Sequence, residues 1–308
     1  MNTKTLSYVA KRILLALLSM LIVTAITFFT MHAIPASPFS SEKAKSDAVI
    51  AALEAKYGFD KPVPVQFVNY LKGVVKFDFG LSTAWGGNEV SKLIKDAFSY
   101  SAKIGLFAAA IAIVLGLVFG CIAALNRDKF VDKIVQVVTT ALVSMPSFVM
   151  ATLFLLGFGL KWKIFPTIGS EKGGLILPII SLSLSPMAYI TRLSRSSMLD
   201  VLGQDYIRTA HAKGLSKYKV IFKHALKNAL GPVITYAGPM IAGILTGSMV
   251  VENIFSVPGL GRLFTNGMLK TDYMVIMGVT IFLAILVITM NLIADILYKV
   301  VDPRIDLD

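Results

Sequence analysis

Residues 104–125 read IGLFAAAIAIVLGLVFGCIAAL, a run of 22 residues without a charged side chain. An α-helix rises about 1.5 Å per residue, so about 20 apolar residues cross a hydrocarbon core about 30 Å thick. The run therefore predicts a transmembrane helix, and the same test worked outward along the chain finds others. They lie at Ile13–Ile34, Ile134–Leu160, Leu175–Ile190, Gly231–Val251 and Tyr273–Val300. Ile13–Ile34 is longer than the apolar region of a signal peptide, and no small-x-small cleavage site follows it, so it reads as an uncleaved anchor. Pro146 in the third span and Pro178 and Pro186 in the fourth predict local kinks, tolerated where neighbouring helices satisfy the freed carbonyls. Gly116 and Gly120 allow close helix approach, although this spacing alone is a weak signal for dimerisation. The fold class that follows is an all-α polytopic membrane protein with six transmembrane helices.

Composition points the same way. Only 16% of the 308 residues are charged, against about 25% in a soluble domain, and the mean hydropathy is +0.73. The net charge of +12 would suggest nucleic acid in a soluble protein, but topology accounts for it here. With the amino terminus inside, Lys4, Lys11, Arg12, Arg127, Lys129, Lys133, Arg192, Arg195, Arg208, Lys213, Lys217, Lys219, Lys223, Lys227, Lys299 and Arg304 all fall on the cytoplasmic side. The short outside loops hold Lys161, Lys163, Lys172, Arg262 and Lys270, so the positive-inside rule predicts that both termini are cytoplasmic. Residues 1–34 then comprise the cytoplasmic amino terminus and first span, and 301–308 a cytoplasmic tail. The single cysteine, Cys121, excludes an intrachain disulfide.

Two connections are more than spacers. Residues 35–101 are too polar to span, yet Val49, Ile50, Leu53 and Tyr57 recur at helical spacing within Asp47–Tyr57, and Val65–Phe77 resumes an amphipathic pattern after Pro62 and Pro64. This segment reads as a small external subdomain, with a flexible loop as the plainer alternative. Ser196–Asn228, within the core of residues 102–300, is the longest inside connection. Met198–Lys213 is predicted helical and closed by Gly214, and Ser216 caps a second helix through Asn228. The pair is shaped like a DNA-binding helix-turn-helix, but wedged between two spans it would press against the membrane. A solvated basic loop is the competing reading. Tyr206, Ile207, Ala210 and Leu215 count against it, because they form an apolar ridge where a spacer would be polar.

At these residues the chain resembles a known family. DYIRTAHAKGLS at 205–216 and HALKNAL at 224–230 are similar to the EAA loop of ABC-importer permeases, in the version of the dipeptide, oligopeptide and nickel transport family. His211 stands where that family more often has Arg, and the general motif's leading Glu is absent, a replacement common in this subfamily. KPVPVQF at 61–67, FDFG at 77–80, PSF at 146–148, FP at 165–166, RLSRSSML at 192–199, VENIF at 251–255, PGLG at 258–261 and DPR at 302–304 match in order. The resemblance thus covers nearly the whole chain and looks most like the first of two permease subunits, the one with a long external segment after the first helix.

The resemblance implies a non-catalytic subunit of an importer for short peptides, or for nickel or another small solute. It implies a second permease as heterodimer partner, two cytoplasmic ATPases that carry ATP and Mg, and an extracytoplasmic solute-binding protein, in a bacterial or archaeal cytoplasmic membrane. The chain has no G-x-x-x-x-G-K-[ST] phosphate loop, so energy must come from a partner or a gradient. The resemblance makes Tyr206–Lys213 the coupling helix, with Tyr206, Ile207 and Ala210 as its packing face, Arg208 and Lys213 at the rim, Thr209 within the motif, and Gly214 setting the turn. For Glu252 and the turn Pro258, Gly259 and Gly261, an outer gate or docking role competes with an ordinary interfacial one. Asn291 and Asp295 share a face of the last span, where pairing with a basic group competes with proton coupling. His32, His211 and His224 are not spaced as metal ligands, and no enzymatic constellation or cofactor site stands out. A proton-coupled secondary carrier is the alternative from another class; it would call for inverted repeats and intramembrane charges.

Overall fold

The computed structural model describes residues 3–33, 60–246 and 249–301, and the side chains of 10–33, 60–246 and 249–293. The helix expected over Asp47–Tyr57, the closing Asp302-Pro303-Arg304 and the side chain of Asp295 lie outside these limits. The described residues form helices and no strand. In chain order these are α1 (Thr3–Ala33), α2 (Val63–Val75), α3 (Val90–Leu125), α4 (Phe130–Ser144), α5 (Ser147–Phe154, continued as a π-helix over Leu155–Lys161), α6 (Ile176–Leu202), α7 (Asp205–Ala212), α8 (Lys217–Ala229), α9 (Gly231–Leu245), α10 (Met249–Ile254), α11 (Leu260–Leu269) and α12 (Tyr273–Val301).

Four helices are long and apolar enough to cross a membrane, within α1, α3, α6 and α12, or six spans if the bent pairs α4–α5 and α8–α9 each count as one. The third expected span is broken rather than kinked. α4 and α5 meet at 101°, with Met145 in extended backbone at φ −83°, ψ 127°. Pro146 explains this, because the proline ring disfavours helical backbone at the residue before it. Pro178, by contrast, lies in the first turn of α6, where no intrahelical bond is lost, and α6 runs on through Pro186 to Leu202. The second span is longer than its apolar stretch: α3 has 36 residues, about 54 Å at 1.5 Å each, and starts in the polar segment that carries Lys92, Lys95 and Asp96.

The described chain divides into two units, one of residues 1–101 with 258–292 and one of 102–257 with 293–308. In the first, Phe79, Val90, Ile94, Leu260, Val275 and Val279 form a buried core, and Phe28 and Met31 pack with Tyr273 and Met277. Asp272 organises this unit. Its carboxylate caps α12 by accepting from the Val275 amide at 3.1 Å, and it accepts from Ser82 Oγ at 2.6 Å and the Ala84 amide at 2.9 Å. Lys270 lies over the Trp85 ring at 4.3 Å. In α2, burial first and the Asp78 carboxylate second push the Tyr70 phenol above its ordinary range.

In the second unit, α3 and α6 touch backbone to side chain. A Cβ on Gly120 would lie 2.5 Å from Ser194 Cβ, and one on Gly116 2.6 Å from Ile190 Cγ2. The Gly-x-x-x-Gly spacing therefore serves packing within this chain. Around it Ala109, Ala112, Ile190, Val233 and Met240 are buried together.

Candidate functional site

The segment that the sequence singled out lies wholly in the second unit and is built on the carboxyl-terminal part of α6. The helix expected over Met198–Lys213 is two helices. α6 stops at Leu202, Gly203 caps it, and Gln204 turns the chain at φ −76°, ψ 149° before α7 begins. Glycine's poor helix propensity places the break. α7 has only 8 residues, too few to be stable alone in water, so tertiary contacts must hold it.

Ile207 and Ala210 provide those contacts. They are 2% and 7% exposed and pack in one cluster with Met198, Val220, Ala225 and Ala229. This corrects the expected packing face: Ile207 and Ala210 fill the chain's own core, because α7 folds back onto α6 and α8. Tyr206 remains 42% exposed, and Asp205, Arg208, Thr209, His211, Ala212 and Lys213 are exposed beside it. Arg208 lies 3.5 Å from Asp205 across a fully solvated surface, a pair worth little in stability.

The end of α7 has a specific closure. The Gly214 amide donates to His211 O at 2.9 Å, and the Leu215 amide to Ala210 O at 3.3 Å, the paired bonds of a Schellman motif. Gly214 has φ +75°, and Leu215 packs on the same cluster as Ala210. Ser216 then starts α8, its side chain accepting from the Lys219 amide at 3.4 Å as expected of a cap. α8 is tied back twice. Asn228 Nδ2 donates to Tyr206 Oη at 2.9 Å, and Ser197 Oγ donates to Ala229 O at 2.9 Å.

α6 itself is clamped by an ion pair that sequence reasoning missed. Arg195 donates to Asp132 through Nε at 2.6 Å and Nη2 at 2.7 Å. Asp132 is completely buried. It also accepts from the Asp128 amide and from Gln136 Nε2, both at 3.0 Å, so the charge is fully solvated by protein donors. In the sequence, topology alone accounts for Arg195. The available signal was Asp132 at the third position of α4, from which a carboxylate reaches back to amides before the helix.

The residues expected to form an outer gate are assigned to different units. Glu252, expected at an interface, is 1% exposed within α10 of the second unit. There Phe255 O accepts from the Gly169 amide at 2.7 Å. Pro258, Gly259 and Gly261 belong to the first unit. The Leu260 amide donates to Ser101 Oγ at 2.9 Å. Pro258 and Gly259 line a cavity of about 290 Å³ with Trp85, Asp96, Tyr100 and Arg262. Among the described residues, no three His, Cys, Asp or Glu side chains come together as a metal site.

Membrane-length helices joined by a capped helix pair anchored on its own core define the class, a polytopic helical membrane protein with a rigid element between two spans. The chain belongs to the family of binding-protein-dependent transport system inner membrane components, whose pattern matches residues 116–307. The corresponding N-terminal family of these membrane components matches residues 5–84. The dipeptide transport system permease protein DppB of Bacillus subtilis (strain 168) is 44% identical over 301 residues, covering 97% of this chain and 98% of that protein. The oligopeptide transport system permease protein OppB of Haemophilus influenzae is 44% identical over 304 residues, covering 97% and 99%. In fold, the chain is similar to one from the inward-facing MetNI methionine ABC transporter, with TM-score 0.58, 18% identity, and coverage of 68% of this chain and 96% of that one.

Proposed function

We propose that this chain is one of two permease subunits of an ATP-driven importer of short peptides, and that α7 is the element through which a partner ATPase acts on it. The peptide substrate follows from relatives at 44% identity over nearly the full length, whose names specify dipeptide and oligopeptide transport. In this reading residues 196–228 face the cytoplasm, residues 35–101 face outward toward a solute-binding protein, and ATP and Mg are held by the ATPases.

The observation that carries the coupling role is the anchoring of α7. Ile207 and Ala210 bind it to the chain's own core, while Tyr206, Arg208, Thr209 and Lys213 project from it. A short helix held so firmly transmits a push to α6 and α8 instead of yielding to it. Gly214 fixes where the helix ends and so where its exposed face points.

Co-purification with a tagged chain tests this. Thr209→Glu combined with Lys213→Glu alters the exposed face and leaves Ile207 and Ala210 in place. The expected result is loss of the co-purifying ATPase and of vanadate-sensitive peptide uptake, with normal membrane insertion. Retention of both would overturn the coupling assignment. Uptake by the chain alone in ATP-free vesicles would overturn the importer reading itself.

A further inference from the structure

Tyr218 and Phe222 stand one turn apart on α8, 71% and 53% exposed, with ring centroids 4.4 Å apart and planes inclined by 36°. Lys217, Lys219 and Lys223 are exposed around them. The opposite face of α8 is sealed, since Val220, Ala225 and Ala229 are buried against α7 and α6. α8 then bends by 51° into the apolar α9, and the two together meet the criterion for a membrane span. No Asp or Glu occurs between Asp205 and Glu252, so every charged side chain that α8 itself carries is basic.

Two adjacent aromatic rings left bare in water are an apolar liability, whereas at a membrane surface they sit at headgroup level, apolar body inward and polar edge wet. Lysines beside such rings extend their stems along the interface and hold their ammonium groups at the phosphates. An anionic headgroup completes both halves of this surface, and a zwitterionic one supplies only the apolar half.

We propose that Tyr218, Phe222, Lys219 and Lys223 form a seat for anionic phospholipid headgroups at the point where the chain turns into the membrane. The seat rests on the proposed reading of residues 196–228 as cytoplasmic, with α8 at the bilayer surface where α9 enters it. It makes α8 a lever with one face on α7 and the other on the lipid, so bilayer composition bears on the same cluster that holds Ile207 and Ala210.

The test places the photo-cross-linking residue p-benzoylphenylalanine at position 222, or at 218 as a second site, in the whole transporter complex. The complex is reconstituted in phosphatidylcholine mixed with phosphatidylglycerol. The expected product is a lipid adduct on this chain, enriched several-fold in phosphatidylglycerol over its share of the bilayer. Each near-surface lysine contributes to anionic-lipid affinity by roughly fivefold, so Lys219→Gln with Lys223→Gln should abolish the enrichment and leave the adduct. A protein–protein adduct from both sites overturns the seat while leaving the coupling role of α7 intact. A lipid adduct with no headgroup preference, or one unchanged by the lysine substitutions, overturns the anionic specificity.

Discussion

Arg195 meets Asp132 side-on, through Nε at 2.6 Å and Nη2 at 2.7 Å, across 63 positions of chain. Removing one partner of such a buried pair leaves the other charge stranded, at a cost of about 3–5 kcal/mol. Asp132→Ala or Arg195→Ala should therefore lower the thermal unfolding midpoint of the detergent-purified chain sharply. The double variant Asp132→Ala/Arg195→Ala should lose well under the sum of the two single losses. Strictly additive losses in the cycle would show that the two residues do not act as a pair.

At Gly214 the prediction separates conformation from space. The residue has φ +75°, and a Cβ added there would meet nothing within 4 Å, so a substitution costs through backbone strain alone. Asn tolerates this region, and a β-branched residue does not. Gly214→Asn should keep near-normal transport, and Gly214→Val should lose most transport and ATPase binding. Equal behaviour of the two variants would sink the claim that this turn aims α7.

Ile207→Ala should cost about 2–5 kcal/mol where the cavity cannot collapse, and the cost should fall on α7. Hydrogen exchange should rise across Asp205–Ala212 ahead of α6. Tyr206→Phe removes a single partly solvated hydrogen bond to Asn228 and should cost less than about 1 kcal/mol. Uniform exchange along α6 and α7 in Ile207→Ala would count against α7 as a separately anchored element.

Two glycines should respond in opposite directions. Gly120→Ala puts a methyl 2.5 Å from Ser194 Cβ and 2.7 Å from Thr191 O, overpacking that typically costs about 1–3 kcal/mol. Gly243, inside α9, has nothing within 4 Å of the corresponding position, so Gly243→Ala should stabilise by up to about 1 kcal/mol through helix propensity. Paired thermal unfolding measurements decide the matter.

The membrane-length helices are legible in the sequence because lipid imposes a long, uncharged signal, and Gly214 with Ser216 is legible because capping chemistry is local. The break at Met145 is half legible: Pro146 marks the place, but whether a proline kinks a helix or ends it depends on the carbonyls around it. Pro186, inside a continuous α6, shows the other outcome. Ile207 and Ala210 stand out as an apolar ridge, yet the ridge faces inward, because periodicity finds a buried face without saying whose core buries it. Asp132–Arg195 and Ser82–Asp272 are illegible for the same reason. Their meaning lies in a partner far along the chain, and one sequence holds no record of that pairing.

The bond from Ser82 to Asp272 joins positions 190 residues apart. At 5–20 residues per second, the ribosome takes about 10–40 s to deliver Asp272 after Ser82 has emerged. For that interval the Ser82 hydroxyl and the Ala84 amide lack the Asp272 carboxylate, and a nascent chain ending before Asp272 never receives it. The first unit is thus completed only after residues 102–257 of the second have been made, so its amino-terminal loop waits through the synthesis of another unit.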